Sequence, residues 1–209
     1  PFIYNKEQIV SLGSKINSAG SFNTSLGNRI TIGYNTGIAN DQSLFPFMNP
    51  STANNVTAIG RDLLAYKTSD RSLMIGANSV VKKEDTTSIG NNNQLDKQYT
   101  IAIGNDNLLQ KEDALAIGQN IIMRSSAQGA VGVGKEVTVH GKNAVAMGRN
   151  VHVTSGTGAV AIGADGKVTG TGGVFVGSQG TASQKSVAVG SSVFAGNHGV
   201  AIGKNVRSY

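Results

Sequence analysis

One short pattern recurs along nearly the whole chain: an aliphatic residue, a small residue, a second aliphatic residue and a glycine. Examples are NAVAMG at residues 143–148 and GAVAIG at residues 158–163. Apart from one interval of 33 residues, the glycines are 13 to 16 residues apart. A fixed period of this length indicates a repeat architecture, in which each unit packs against its neighbours. The pattern glycines are Gly13, Gly27, Gly60, Gly76, Gly90, Gly104, Gly118, Gly134, Gly148, Gly163, Gly177, Gly190 and Gly203.

Each period predicts two short β-strands joined by a tight corner. Alternation of large and small apolar residues before the glycine is typical of a strand. The second residue after the glycine is usually Asn or Asp, which tolerate the positive φ of a tight corner. Apolar residues three and five positions after the glycine, such as Val151 and Val153, predict a second strand that faces the first. Stacked periods predict an all-β, parallel β-roll of about 13 coils, forming a single domain over residues 1–209.

The alternation also predicts which side chains face inward. We place the larger aliphatic residues of both strands in the interior, because large apolar side chains usually form the core. The small residue of the first strand then faces outward, where Ala is unusual in a strand and indicates a close approach by another chain. The alternative is that these residues line a flat, solvated face. The small residues predicted to contact other chains are Ala58, Ala102, Ala116, Ala146, Ala161, Ala188 and Ala201.

The interval between Gly27 and Gly60 predicts a loop insertion at about residues 33–56. Ile30 and Ile32 are assigned to a second strand after Gly27, so that the extra residues follow them. The insertion contains an apolar cluster of Phe45, Pro46, Phe47 and Met48. Aromatic and Met side chains at a loop tip are good anchors for a partner. The alternative is that they pack against a neighbouring subunit or cap the end of the roll.

The net charge of +6 favours contact with anionic surfaces, but the cations are scattered. No basic run with interleaved aromatic residues predicts nucleic-acid binding, and a solvated surface is the simpler interpretation. No stretch of about 18 apolar residues predicts a membrane span, so we expect no membrane contact by this fragment. The absence of Cys fits a cytosolic chain and equally an exported chain that stays unlinked during translocation.

Catalysis requires a convergent set of titratable side chains, and the sequence predicts none. His140, His152 and His198 occupy different places in their periods and lack the spacing of zinc ligands. The acidic residues after the pattern glycines fit turn positions, and the period differs from that of calcium-binding roll repeats. We therefore expect a protein that is not an enzyme and that has no catalytic residues, no cofactor and no metal site.

The segments YTIAIGND, DALAIGQN, NAVAMGRN and GAVAIGAD resemble the head repeats of trimeric autotransporter adhesins, the YadA-like family of Gram-negative surface proteins. The resemblance extends from about Ile9 to Val206. It implies a left-handed roll, a side-by-side homotrimer and attachment to a host receptor or an extracellular matrix protein, with collagen among the family ligands. It also implies a location at the bacterial surface, anchored in the outer membrane through segments absent from this fragment. Phe175 and Met74 depart from the small residue of the pattern, so we expect either wider packing between chains there or a rotation of the outer face of those coils.

Other classes of β-solenoid remain as alternatives. An acyltransferase roll needs a six-residue period, and a polysaccharide lyase needs longer coils with clustered acids or bases. An ice-binding solenoid needs a flat column of Thr, whereas the outer positions of the second strands include Leu64, Gln94 and Lys167. A structural solenoid or a non-adhesive surface spacer fits the same periodicity. The head of an adhesin is the leading hypothesis.

Overall fold

The structure, a computed structural model, describes residues 2–4, 9–12, 17–19, 29–34, 37–39, 55–66, 68–124 and 126–209. None of these residues is helical. The chain forms two compact units, Pro1–Asp106 (unit 1) and Asn107–Tyr209 (unit 2). The two units together contain about 11 turns of parallel β-solenoid, against the 13 or so that the sequence predicts.

Unit 1 contains the first twelve strands. They are β1 (Phe2–Tyr4), β2 (Ile9–Leu12), β3 (Asn17–Ala19), β4 (Arg29–Tyr34), β5 (Gly37–Ala39), β6 (Val56–Arg61), β7 (Leu64–Tyr66), β8 (Leu73–Ala77), β9 (Val80–Val81), β10 (Thr87–Asn91), β11 (Gln94–Leu95) and β12 (Ile101–Asn105).

Unit 2 contains the other twelve strands, three of which continue through the tight corner. They are β13 (Leu108–Leu109), β14 (Leu115–Gln119), β15 (Ile122–Met123), β16 (Val131–Lys135), β17 (Thr138–Val139), β18 (Val145–Arg149), β19 (His152–Val153), β20 (Val160–Val168), β21 (Val174–Ala182), β22 (Val187–Ala195), β23 (Val200–Lys204) and β24 (Arg207–Ser208).

Within each unit, every strand pairs in parallel with the equivalent strand of the next coil. In unit 2, β16 and β18 pair Gly134 with Gly148, and β18 and β20 pair Gly148 with Gly163. In unit 1, β8 and β10 pair Gly76 with Gly90. Equivalent residues therefore stack at about 4.8 Å intervals. The prediction of an all-β fold with parallel stacked coils is confirmed.

The pattern glycine allows successive coils to approach at the tight corner. Gly148 has φ 129°, and a Cβ atom there would lie 1.8 Å from the carbonyl oxygen of Gly163. Asn150, two residues later, is left-handed with φ 53°, as the sequence predicts. The looser corner has a second left-handed position that the sequence analysis missed, occupied by Asn143 at φ 51°.

The interior of each coil combines small side chains of the first strand with large side chains of the second. The seven alanines predicted to contact other chains are each 0% exposed in the isolated chain. Their predicted outward orientation is therefore wrong. Val137, Val139, Val151 and Val153 of the second strands are also 0% exposed, which confirms the predicted inward positions of that strand. The tight corner keeps the two strands too close together for large side chains to face each other at every position.

Phe175 is a large residue at the small-residue position of the first strand, and small residues of the second strands lie opposite it. Its side chain is 0% exposed, and two glycines of the second strands leave room for its ring. A Cβ atom on Gly166 would lie 1.9 Å from Cε1 of Phe175, and one on Gly180 would lie 2.5 Å from Cε2. Met74 is 0% exposed as well. The prediction that both residues widen the packing between chains is therefore wrong, because both fill the interior of their own coils.

Buried asparagines connect consecutive coils where the second strand begins. Asn93 donates from Nδ2 to the carbonyl oxygen of Gly104 at 2.9 Å, within unit 1. In unit 2, Asn107 donates from Nδ2 to the carbonyl oxygen of Gly118 at 3.2 Å, and its Oδ1 accepts from the amide of Ile121 at 3.0 Å. These side chains provide partners for backbone groups at the corner, as buried polar groups require.

We expect Asn107→Ala to lower the free energy of unfolding by about 1–3 kcal/mol, because the Ile121 amide then loses its buried acceptor. Urea unfolding followed by circular dichroism measures this change. The matched control is Gln119→Ala at an exposed position, where we expect a change within about 0.5 kcal/mol. Equal effects of the two substitutions would contradict a structural role for the Asn107 amide.

The register of β4 corrects the predicted start of the insertion. Parallel pairing with β6 aligns Gly33 with Gly60 and Ile32 with Ile59. Ile30 and Ile32 therefore belong to a first strand that ends at a pattern glycine, and their assignment to a second strand is wrong. The following strand, β5, includes residues 37–39, which the predicted insertion at 33–56 had included. The cluster of Phe45, Pro46, Phe47 and Met48 lies outside the described residues.

Candidate assembly surface

The first strands of both units present large aliphatic side chains on their outer faces. Since the intervening small residue faces inward, the residues one and three positions before the pattern glycine must face outward. In the isolated chain, Ile117 is 38% exposed, Met147 39% and Ile162 37%. The sequence analysis placed these side chains in the interior, and that prediction is wrong. Val145 and Met147 do share one face of their strand, but it is the outer face.

In-register pairing arranges these side chains as continuous columns, which we call the apolar columns. In unit 1 they comprise Ile59, Leu73, Ile75, Ile89, Ile101 and Ile103. In unit 2 they comprise Leu115, Ile117, Val131, Val133, Val145, Met147, Val160, Ile162, Val174, Val176, Val187, Val189, Val200 and Ile202.

The apolar columns of unit 2 are the longer pair and contain no polar side chain. In unit 1, Thr57 and Thr87 occupy two of the equivalent outer positions. Contiguous apolar surface of this kind marks an interaction site more often than a solvated face. Between Ile59 and Val176, eight side chains of the apolar columns are 37–39% exposed, and the others are half-buried.

Some charged side chains that the structure describes form ion pairs between successive coils. In unit 1, Arg71 donates from Nε and Nη2 to the two carboxylate oxygens of Asp85, each at 2.6 Å. These hydrogen bonds lower the pKa of the Asp85 carboxyl below its usual range. Arg71 also contacts Glu84 at 3.0 Å. The pair lies on the surface and joins two successive coils, and the hydrogen bond from Arg71 is the main cause of the lowered Asp85 pKa.

The three histidines lie at separate places in unit 2, as the sequence predicts. His152 shares a 2.8 Å hydrogen bond with Oδ1 of Asn150, and His198 is exposed at the looser corner. Within the described ranges, no group of three or more His, Cys, Asp or Glu side chains could hold a metal ion. The same residues include no helix that could cross a membrane.

The apolar columns are therefore the candidate surface for association with another chain. No protein-family model and no curated protein matches the chain. Period-two alternation, the signal that sequence analysis used, identifies which residues share a face but not which face is interior.

Proposed function

We propose that this chain is the adhesive head of a trimeric autotransporter adhesin. In this proposal, three copies pack side by side through the apolar columns and display their remaining surface to a host receptor or an extracellular matrix protein. The observation that carries the proposal is the uninterrupted aliphatic surface on the first strands of unit 2. The resemblance of the repeats to adhesin heads supports three chains and a location at the bacterial surface, anchored in the outer membrane.

The repeat architecture suits attachment for a physical reason. A trimer presents each ligand-binding surface three times, so weak contacts combine through a high effective concentration. Stacked coils also hold those surfaces at fixed spacings. The cluster of Phe45, Pro46, Phe47 and Met48 remains a predicted partner site. Burial of the apolar columns between chains removes from water the largest aliphatic surface that the described residues expose.

We expect the purified chain to have a mass of about 64 kDa by light scattering, three times the 21.5 kDa of one chain. The physical reason is that burial of aliphatic columns favours association at micromolar concentration. The functional measurement is binding of the same preparation to immobilised matrix proteins and epithelial receptors. A stable monomer would contradict the assembly. A trimer that binds none of these ligands would instead favour a surface spacer.

A further inference from the structure

Most of the net positive charge of the chain lies in unit 2. Residues 107–209 contain nine Lys and Arg against four Asp and Glu, whereas residues 1–106 contain nine against eight. Two acidic residues of unit 2 already face cations: Asp165 lies 3.3 Å from Arg149, and Glu136 lies 3.8 Å from Lys135. The excess of positive charge is therefore carried by side chains elsewhere on the unit.

A set of these cations lies on the outer face of the second strands. Burial of Val151, Val153 and their equivalents fixes the alternate residues as outward. The ladder of backbone hydrogen bonds extends one residue past each strand. The backbone amide of Arg124 donates to the carbonyl oxygen of Val139, and the backbone amide of His140 donates to that of Val153. We call this surface the basic face. Its residues are Ile122, Arg124, Thr138, His140, His152, Thr154, Lys167, Thr169, Thr181, Ser183, Phe194 and Arg207.

The basic face contains no acidic residue, and its cations are available to a ligand. Arg124, Lys167 and Arg207 are exposed, and none forms an ion pair with a described carboxylate of unit 2. The equivalent face of unit 1 is different, because Lys82 contacts Asp96 there at 2.8 Å. Positive charge free of local acids attracts anionic ligands and remains partly effective over about 8 Å at physiological salt.

The spacing of the cations matches an extended ligand. Arg124 lies three coils before Lys167, and Lys167 lies three coils before Arg207. Each separation is about 14 Å along the stack, at about 4.8 Å per coil. Between Thr138 and Thr181, the outward side chains of this face are Thr, His and Lys. Hydroxyl and imidazole groups can form hydrogen bonds with sugar hydroxyls and sulfates. Ile122 and Phe194 lie on the same face near its two ends, and both are half-buried. One aromatic side chain provides no series to stack bases, and two separated apolar side chains provide no continuous surface to enter a membrane.

We infer that the basic face of unit 2 binds a linear sulfated polysaccharide, oriented along the stacked coils. The basic face lies on the second strands, opposite the apolar columns, so assembly through those columns leaves it exposed. As a partner for an attachment head, the polysaccharide rests on the proposed function. The binding itself is a property of the purified chain and can be measured separately.

The test compares two triple variants with equal losses of charge. Arg124→Gln/Lys167→Gln/Arg207→Gln removes the three cations of the basic face. Lys83→Gln/Lys97→Gln/Lys204→Gln removes three exposed cations that lie elsewhere. Binding to heparin is measured by calorimetry across a series of salt concentrations. We expect the first variant to bind at least about tenfold more weakly. Its affinity should also depend less steeply on salt concentration, because binding through fewer cations releases fewer counterions. The control should weaken binding by less than about threefold.

Three outcomes would overturn the inference. Equal weakening in both variants would mean that net charge, rather than this face, attracts the polyanion. Equal or tighter binding to single-stranded DNA or to vesicles containing phosphatidylserine would assign another ligand class. Absence of heparin binding at physiological salt would exclude the site. A trimer that does not bind heparin would refute only this inference, whereas a monomer that binds heparin would refute the trimeric assembly.

Discussion

Replacing Ile162 with Lys is expected to convert the proposed trimer into monomers. Ile162 belongs to the apolar columns of unit 2, where it pairs in register with Met147 on one side and Val176 on the other. An ammonium group among these side chains would be buried without a partner, which costs several kcal/mol per ion. In the proposed trimer, symmetry would place the charge in all three chains. Light scattering should therefore report about 21.5 kDa in place of about 64 kDa.

The matched control for this prediction is Thr181→Lys. Thr181 lies on the outer face of a second strand, so the same added charge falls away from the apolar columns. We expect this variant to stay trimeric. Circular dichroism must show that the Ile162→Lys chain keeps its β-structure, since an unfolded chain would also lose its partners. A folded Ile162→Lys variant that remains trimeric would show that the apolar columns are not the interface.

Local rules explain which parts of the fold the sequence predicts correctly. The interval between glycines predicts the coil, and the Asn and Asp residues two positions later predict left-handed corners, because few residue types tolerate that backbone. The second-strand positions of Val151 and Val153 follow from strand alternation, and the structure confirms their burial. Parallel stacking follows because each strand repeats at the next coil. These inferences require no knowledge of the distance between the two strands.

The distance between the two strands of a coil determines which residues of the first strand face outward and form the candidate surface. The alternation of large and small residues does not provide this distance. Val145, Ala146 and Met147 give the same pattern whether Ala146 or its neighbours face inward. The usual preference for large interior residues selects the wrong face, because the interior of the coil is narrow. The sequence does contain a signal for the correct orientation. Phe175 replaces the small residue in a period whose second strand has Gly180 in place of a large aliphatic residue. A large residue at one position together with a small residue at the other indicates that Phe175 and Gly180 share one interior.

The start of the predicted insertion was wrong for a related reason. ITIG at residues 30–33 fits the same pattern as the other first strands, and the structure pairs it with VTAIG at residues 56–60. Gly27 lies 14 residues after Gly13, which is the commonest spacing, whereas Gly33 lies 20 residues after Gly13. Counting intervals therefore favoured Gly27, whereas the order of aliphatic and small residues favoured Gly33. Register depends on which side chains can stack, so the residue pattern is the better guide.

Substitutions at Phe175 and Gly166 are expected to change the free energy of unfolding strongly, because the ring of Phe175 occupies the space beside Gly166. We expect Phe175→Ala to lower the free energy of unfolding by about 3–5 kcal/mol, because the buried ring leaves a cavity. Gly166→Val alone should also destabilise the chain, by about 1–3 kcal/mol or more, because its side chain meets the ring of Phe175. The atoms of the protein closest to a Cβ on Gly166 all belong to that ring. Removing the ring therefore creates the space that Val needs.

The double variant Phe175→Ala/Gly166→Val gives the coil of Gly166 an interior of Ala161 and Val, the combination that Ala146 and Val151 form in the preceding coil. We expect it to be more stable than Phe175→Ala, with a coupling energy of about 1–3 kcal/mol in the double-mutant cycle. Urea unfolding of the four proteins measures the cycle. Gly180→Val in place of Gly166→Val is the control, because a Cβ on Gly180 would also lie 2.8 Å from the backbone oxygen of Val193. It should rescue Phe175→Ala less well. Additive effects at residues 175 and 166 would mean that the two positions do not share one interior, and the inward orientation of the first-strand small residues would then have to be abandoned.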